Sequence, residues 1–397
     1  MQAEIRAKYN STFSVERYQE MLQQIHQDFP NQLEFRVAET PVFVPKQLGD
    51  KIKTACESFV DVIVQPDFKA KTQQAIPANQ VVPNENDHTS FLAIDFAVCR
   101  DEKGELTPQL IELQGFPSIF GFQAYVSDLY RKFFYVPDSH RNIFGGLSTT
   151  EYYATLQQMI VGDANPDEVI LLEIYPEQQK TRIDFAATLR FIGVKAVCYT
   201  KIQKEGRQLF YDNKGTKTPI KRIYNRLIFD DLGNFPDLKT EFNFTDDVDV
   251  EWIGHPNWFF RISKYTMPFL KSPYVPDTRF VSEFGGDFPA DLENYVLKPL
   301  FSFAGSGVKL HITAADLTSI QDPENYILQR KVNYEPVVQA LDGLVKCEIR
   351  MLYIWPKGEA RPTLLTNLAR LSRGEMIGVR FNKDFDWVGG STCFFEE

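Results

Sequence analysis

The sequence predicts an α+β protein with an α/β unit set inside it, and three observations carry that prediction. Around residues 90–114 two strand-like runs flank a turn. Between about 168 and 199 the order is strand, helix, strand. From about 255 onward short helices alternate with strands. The chain has 397 residues, 43% hydrophobic and 14% aromatic, enough to core the two to four domains expected at roughly 100–200 residues each. Disorder is excluded for most of it, because 33 Phe, 17 Tyr and 4 Trp offer more burial than disordered segments carry. There is no internal repeat and no low-complexity tract.

The elements follow in order. Tyr18, Met21, Leu22 and Ile25 recur at spacings of three and four and predict a helix over Val15 to Phe29; Leu48, Ile52, Ala55, Phe59 and Val60 do the same for about Lys46–Val64. Pro83 to His88 reads as loop. Phe91–Val98 and Gln109–Leu113 are the arms of a hairpin turned at Asp101-Glu-Lys-Gly104, with acids on both arms. Glu168–Glu173 is a short buried strand, Thr181–Ile192 a helix ended by Gly193, and Val194–Tyr199 a second strand, a β-α-β unit. A further hairpin is expected from Arg207–Tyr211, a turn at Asp212–Gly215, and a second arm over Ile220–Arg226. The last third offers strands at Tyr295–Lys298, Val308–His311, Tyr326–Gln329, Cys347–Ile354 and Thr363–Leu371, favouring an antiparallel or mixed sheet. Three segments result: 1–160 with the acid-bearing hairpin at 90–118, an α/β domain at 161–250, and a C-terminal lobe at 251–397.

Charge narrows the partners. Lys and Arg number 43 against 53 Asp and Glu, a net −10, so neither a nucleic acid nor an anionic membrane is expected as main partner. A small anion needs a locally basic pocket. The N-terminus lacks an apolar signal-peptide core and no run of about 18 apolar residues occurs, which points to a cytoplasmic protein. Cys56, Cys99, Cys198, Cys347 and Cys393 are scattered with no CxxC pair, as reduced core thiols would be, and the five histidines are dispersed. Any metal is therefore expected to be a hard one held by carboxylates.

The segment Tyr295-Val-Leu-Lys-Pro-Leu-Phe-Ser-Phe-Ala-Gly-Ser-Gly-Val308 carries the clearest chemistry: a strand ending in Lys298, then a small-residue loop with Ser302, Gly305, Ser306 and Gly307. Backbone N–H groups of such a loop can close on a phosphate while the lysine adds a point charge; the other reading of these residues is an ordinary hairpin with a Gly-rich turn. It is no Walker loop, since the lysine precedes the glycines. Lys264 lies upstream, and the apolar strand running into Gln329-Arg330-Lys331-Val332 lies downstream. On the hairpin, Glu112 and Gln114 leave the same face of their strand, and Asp95 on the other arm can join them. Three hard oxygen ligands on a rigid face suit magnesium, the alternative being a pair of edge strands with solvated acids.

The ordered set of two lysines, glycine loop and strand into a linker resembles the ATP-grasp superfamily. The acids placed upstream, Asp95 with Glu112-Leu-Gln114 and Pro117-Ser118, resemble its circularly permuted members related to glutathionylspermidine synthetase. The resemblance runs from about residue 90 to the end. It implies an ATP-grasp fold with the nucleotide between two lobes and an inserted substrate-side domain. It assigns Lys264, Lys298 and the glycine loop to the ATP phosphates, residues 329–332 to adenine, and Asp95, Glu112 and Gln114 to Mg2+. Three positions depart from the family pattern: Gln114 stands for the usual Asn, Gln329-Arg330 for an acidic hinge, and Ala93 for the arginine that often precedes the first metal Asp. Arg350 and Arg370 resemble positions that touch the γ-phosphate or acyl phosphate, where a planar guanidinium suits the charge. Arg226, ending a strand of the α/β domain, is a candidate grip for a substrate carboxylate, with a structural ion pair as the alternative.

The implied activity is an ATP-dependent carboxylate–amine ligase acting on small molecules, releasing ADP and phosphate. A phosphotransferase using the same site and a non-catalytic ATP-binding protein are the alternatives. The two substrates, the role of residues 1–90 and the oligomeric state are not readable.

Overall fold

The computed structural model describes residues 1–301, 307–374, 377, 382 and 384–397. Helices α1 (Ala3–Thr12) and α2 (Val15–Asp28) open the chain, followed by β1 (Val42–Val44), α3 (Lys46–Ile63) and α4 (Phe68–Lys71). The hairpin is β2 (Phe91–Arg100) and β3 (Leu106–Gln114). Next come α5 (Phe120–Phe133), β4 (His140–Arg141), α6 (Thr149–Ile160), β5 (Val169–Glu173), α7 (Arg182–Ile192) and β6 (Lys195–Cys198). The small strands β7 (Gln203–Glu205), β8 (Gln208–Asn213) and β9 (Thr216–Ile220) precede β10 (Arg222–Asn225), α8 (Phe229–Gly233), β11 (Glu251–Ile253) and α9 (Asn257–Arg261). The rest is β12 (Thr278–Phe280), β13 (Tyr295–Pro299), α10 (Ala314–Thr318), β14 (Tyr326–Arg330), β15 (Pro336–Ala340), β16 (Gly343–Ile354), β17 (Thr363–Ser372), β18 (Gly389–Ser391) and β19 (Cys393–Glu396).

These elements form a mixed fold with several antiparallel sheets. The central sheet runs β18-β17-β16-β2-β3, with β15 paired to the start of β16, all antiparallel. β2 is buried along nearly its whole length, because both faces are covered. Leu92, Ile94, Phe96 and Val98 face a core shared with α2 and α3, while Phe91 and Ala93 face a second core under α5, α6 and α7. On that second face, beyond Ala93, the alternation brings Asp95 to the surface of the sheet.

A parallel sheet, β11-β10-β5-β6, packs beside it. The antiparallel trio β12-β14-β13 faces the hairpin across a cleft. The first core also joins α1 and α2 to the C-terminal strand, through Tyr9, Met21 and Ile25 with Phe394 and Phe395; β19 lies between β1 and β4. That core takes residues from all three segments drawn from sequence, the second contributing Ile183 and Ala187.

Local chemistry explains most boundaries. Ser14 accepts a hydrogen bond from Arg17 N and caps α2. Gly193 ends α7 in the left-handed region, φ 85°. At the hairpin turn Asp101 Oδ1 accepts from the backbone N–H of Lys103 and Glu105.

Two expectations fail. Thr216–Ile220 is the partner of β8, and Arg222–Asn225 belongs to the parallel sheet beside β5, so the run expected as one hairpin arm is two strands. Val308–His311 is not a strand; it makes a single bridge, Lys309 to Leu297. Among the described residues no helix is long and apolar enough to cross a membrane, and all five cysteines are free, four of them buried.

Candidate functional site

Strand register assembles the site. Asp95 pairs with Glu112 on β3 and with Arg350 on β16, and Glu348 on β16 pairs with Arg370 on β17. Side chains alternate along strands, so these five residues share one face of the central sheet. A bulge beside Asp95 and Phe96 inserts Ile111 into the hairpin ladder. The carbonyl of Ile111 accepts a hydrogen bond from Lys298 Nζ, 3.1 Å away, which ties the end of β13 to the hairpin across the cleft.

The polar contacts form one network. Arg350 grips Asp95 with two parallel bonds, Nε to Oδ1 and Nη2 to Oδ2, each 2.5 Å, and donates to Ser118 Oγ at 3.2 Å. Arg370 Nη2 lies 2.5 Å from both Asp95 Oδ2 and Glu348 Oε1. The second oxygen of Glu348 accepts from the Tyr334 hydroxyl at 2.6 Å. Glu112 is less buried: its Oε1 accepts from Gln114 Nε2 at 2.8 Å and lies 3.7 Å from Arg350, and its Oε2 lies 4.0 Å from Lys264 Nζ.

Burial would raise the Asp95 pKa, but the charges of Arg350 and Arg370 outweigh it and hold the carboxyl below its ordinary value. Burial raises Glu348 in spite of Arg370. Burial also lowers both lysines, Lys298 to about 8, even though Glu112 favours their charged forms. Both lysines are buried, and an arriving anion would strengthen their charged state.

The residues expected at the site divide as follows. Asp95, Glu112, Gln114, Lys264, Lys298, Arg350 and Arg370 come together. Arg226 is not part of that hydrogen-bonded network: it follows β10 and pairs with Asp184 at 2.5 Å with both side chains buried; Asp184 also accepts from Phe122 N at the start of α5. Gln329 is buried and donates to Thr278 Oγ1. Arg330 pairs with Asp291. The backbone N–H groups of Arg330 and Lys331 are bonded to the carbonyls of Asp277 and Asn294, so the adenine contacts expected from 329–332 are not simply open there.

Arg330, Lys331 and Val332 line a cavity of about 560 Å³ with Cys99, Thr107, Gln109 and Tyr274. Cys99, Thr107 and Gln109 continue the face that carries Asp95 and Glu112. Gly307 has φ 70°, and a Cβ there would come 2.9 Å from Pro299, so only glycine fits comfortably. Ser302, Gly305 and Ser306 lie outside the described residues.

Sequence reasoning passed over Glu348, Tyr334 and Asp184. Glu348 was legible in principle as a second charge two residues before Arg350 on an otherwise apolar strand. Tyr334 and Asp184 carry no local signal.

The site holds hard oxygen donors fit for a magnesium ion in Glu112 and Gln114, which share a face. Asp95 is there too: its Oδ2 already accepts from both Arg350 and Arg370, whereas Oδ1 accepts from Arg350 alone and keeps a lone pair for a cation. Among the described residues no group of three His, Cys, Asp or Glu is arranged to hold a metal. Arg370 Nε is buried with no hydrogen-bond partner among the described residues.

No protein-family model matches the chain, and no curated protein matches it. Among solved structures it resembles a glutathione synthetase-like effector (GSS30) from Globodera pallida in its apo form, with a TM-score of 0.58, 10% identity, and coverage of 97% of this chain and 98% of that one. At that identity the likeness is one of fold alone, and it extends over nearly the whole length of both chains.

Proposed function

We propose that the protein is an ATP-grasp, Mg-ATP-dependent ligase that joins a carboxylate to an amine through an acyl phosphate. One observation carries this reading: Lys264, Lys298, Arg350 and Arg370 converge with Asp95, Glu112 and Gln114 on the face where the hairpin meets β13. Four cations focused on three oxygen-bearing side chains suit a triphosphate and its counter-ion.

Lys264 and Lys298 hold the phosphates, and Arg350 and Arg370 orient and neutralise the transferring group. Glu112 and Gln114, with Asp95 behind them, would hold magnesium, which supplies further charge neutralisation when bound. The base fits the cavity by Val332 and Thr107. It lies about 13 Å along the strand from Asp95, four residues at ~3.3 Å each. The substrate carboxylate attacks the γ-phosphorus, the bond to the bridging oxygen breaks, and ADP leaves. The amine then displaces phosphate from the acyl carbon. Positioning does most of this work, and no side-chain nucleophile is required. Arg226 retains a buried Nε with no partner among the described residues and is the proposed grip for a substrate carboxylate.

The test is ADP release with and without a panel of amino acids, dipeptides and amines. A ligase turns over only with a carboxylate and an amine together, a phosphotransferase needs one acceptor, and a non-catalytic binder releases no ADP above background. The double grip on Asp95 is the observation that favours the last alternative. For the ligase, Glu112→Ala abolishes magnesium-dependent turnover, and Lys298→Ala weakens ATP binding at least tenfold by calorimetry. Undiminished ATP affinity in the lysine variant would refute the site.

A further inference from the structure

In the parallel sheet, β5 leads through α7 to β6 on one side, and the chain later returns to β10 on the other. The carboxyl ends of β5 and β10 are therefore the switch point of the sheet, the place where ligands of open parallel sheets settle. β5 ends there in Glu173, and β10 runs into Arg226, whose N–H bonds to the Leu172 carbonyl and keeps the two strand ends adjacent.

Glu173 is buried, 5% exposed, within an otherwise apolar strand. Its Oε1 accepts from Ile174 N at 2.8 Å; among the described residues its Oε2 accepts no hydrogen bond. Glu173 shares the sheet face of Val169 and Leu171, whose core also contains Phe91 and Ala93 of β2. It thus stands on the side of the parallel sheet that looks toward the strand carrying Asp95.

We propose that Glu173 is the proton acceptor for the attacking amine, an inference that rests on the ligase reading above. An amine arrives as an ammonium ion and has no lone pair to offer. Once Glu173 is ionised, as the pH rises through about 8, one N–H proton passes to its carboxylate. The freed lone pair forms the C–N bond at the acyl carbon, the C–O bond to phosphate breaks with its electron pair leaving on phosphate, and the second N–H proton goes to that phosphate.

The other buried acids of the cleft are poorly suited to this task, since Asp95 is gripped by two arginines and Glu348 is held between Arg370 and Tyr334. The groups around Glu173 are Arg226 after β10, with Asp184 of α7 behind it, Asp231 on α8, and Cys198 opposite on β6. Burial pushes the Glu173 carboxyl up to about 8, with Arg226 opposing and Asp231 adding to the rise, so its basicity approaches what an alkylammonium donor needs.

The experiment compares two nucleophiles on whichever dipeptide supports ADP release: methylamine, protonated at neutral pH, and hydroxylamine, which is not. Amide formation from methylamine falls at least 100-fold in Glu173→Gln, with the KM for ATP unchanged, while hydroxamate formation stays within about threefold of wild type. In the wild type, amide formation shows a pH limb near 8 that hydroxamate formation lacks. Equal loss with both nucleophiles, or equal retention, overturns the assignment. Should the Gln variant not fold, a wild-type amide profile without the limb overturns it. Absence of hydroxamate in the wild type means instead that the ligase reading has failed.

Discussion

At the scale of single residues, two buried carboxylates respond to pH in opposite senses. Asp95 is held below its ordinary value by Arg350 and Arg370, once burial is outweighed. Its ionised form therefore stabilises the fold above the unfolded-state value near 4, and that contribution is lost as the pH falls through the folded value. Replacing it removes the carboxylate that two buried guanidinium groups share, leaving Arg370 to Glu348 and Arg350 to the more distant Glu112. Asp95→Ala should cost about 3 kcal/mol at pH 7, measured by urea unfolding. Glu173 is raised to about 8 by burial, so its contribution is complete below about 4.5 and disappears as the pH rises through 8. This shift corresponds to something on the order of 5 kcal/mol. Glu173→Gln should match wild-type stability at pH 4 and exceed it by several kcal/mol at pH 8.5. A constant difference across that range would show that the carboxyl does not titrate there.

At the scale of elements, the junction of β3 with α9 controls the site. A Cβ on Gly115 would lie 2.5 Å from the Trp258 carbonyl oxygen and 3.0 Å from the Ile262 Cβ, and Gly115 N donates to the Ile262 carbonyl. Gly115→Ala must push β3 away from the segment leading to Lys264, separating Glu112 and Gln114 from that lysine. The expected result is a stability loss of about 2 kcal/mol together with at least tenfold weaker ATP binding, by thermal melting and calorimetry.

The same scale shows why some elements were legible and others were not. α2, α3, α7 and the hairpin announce themselves through period and turn chemistry. α5 and α6 were passed over, although Ser148 and Glu151 form a capping box at the start of α6. Arg222–Asn225 looked like a hairpin arm because it follows β9 directly; its true partner, β5, lies about fifty residues back in the sequence. Nothing local records such a pairing.

At the scale of the whole molecule, residues 1–63 carry no recognisable motif because their role is to cover one face of the central sheet. Tyr9, Met21, Ile25, Ile52 and Phe59 are fully buried in the core that also holds Ile94, Ile349 and Phe394. Removing residues 1–30 would expose that core and leave β1 and β19 poorly supported. The truncated protein should lose its cooperative thermal transition and bind a hydrophobic dye, and a two-state melt with wild-type midpoint would contradict this account of the core.

The sequence by itself determined the apolar periods, the hairpin, the β-α-β unit, and most of the residue types gathered in the cleft, since these depend on spacing along the chain and on side-chain chemistry. Only the tertiary structure decided which charges meet. Asp95 and Arg350 are 255 residues apart, Asp95 and Arg370 are 275 apart, and their pairing comes from strand register across a sheet built from both ends of the chain. The acids expected to wait for a metal are thereby also partners of arginines. Register is set by which faces the helices bury, a property of the assembled core that no local window of sequence contains.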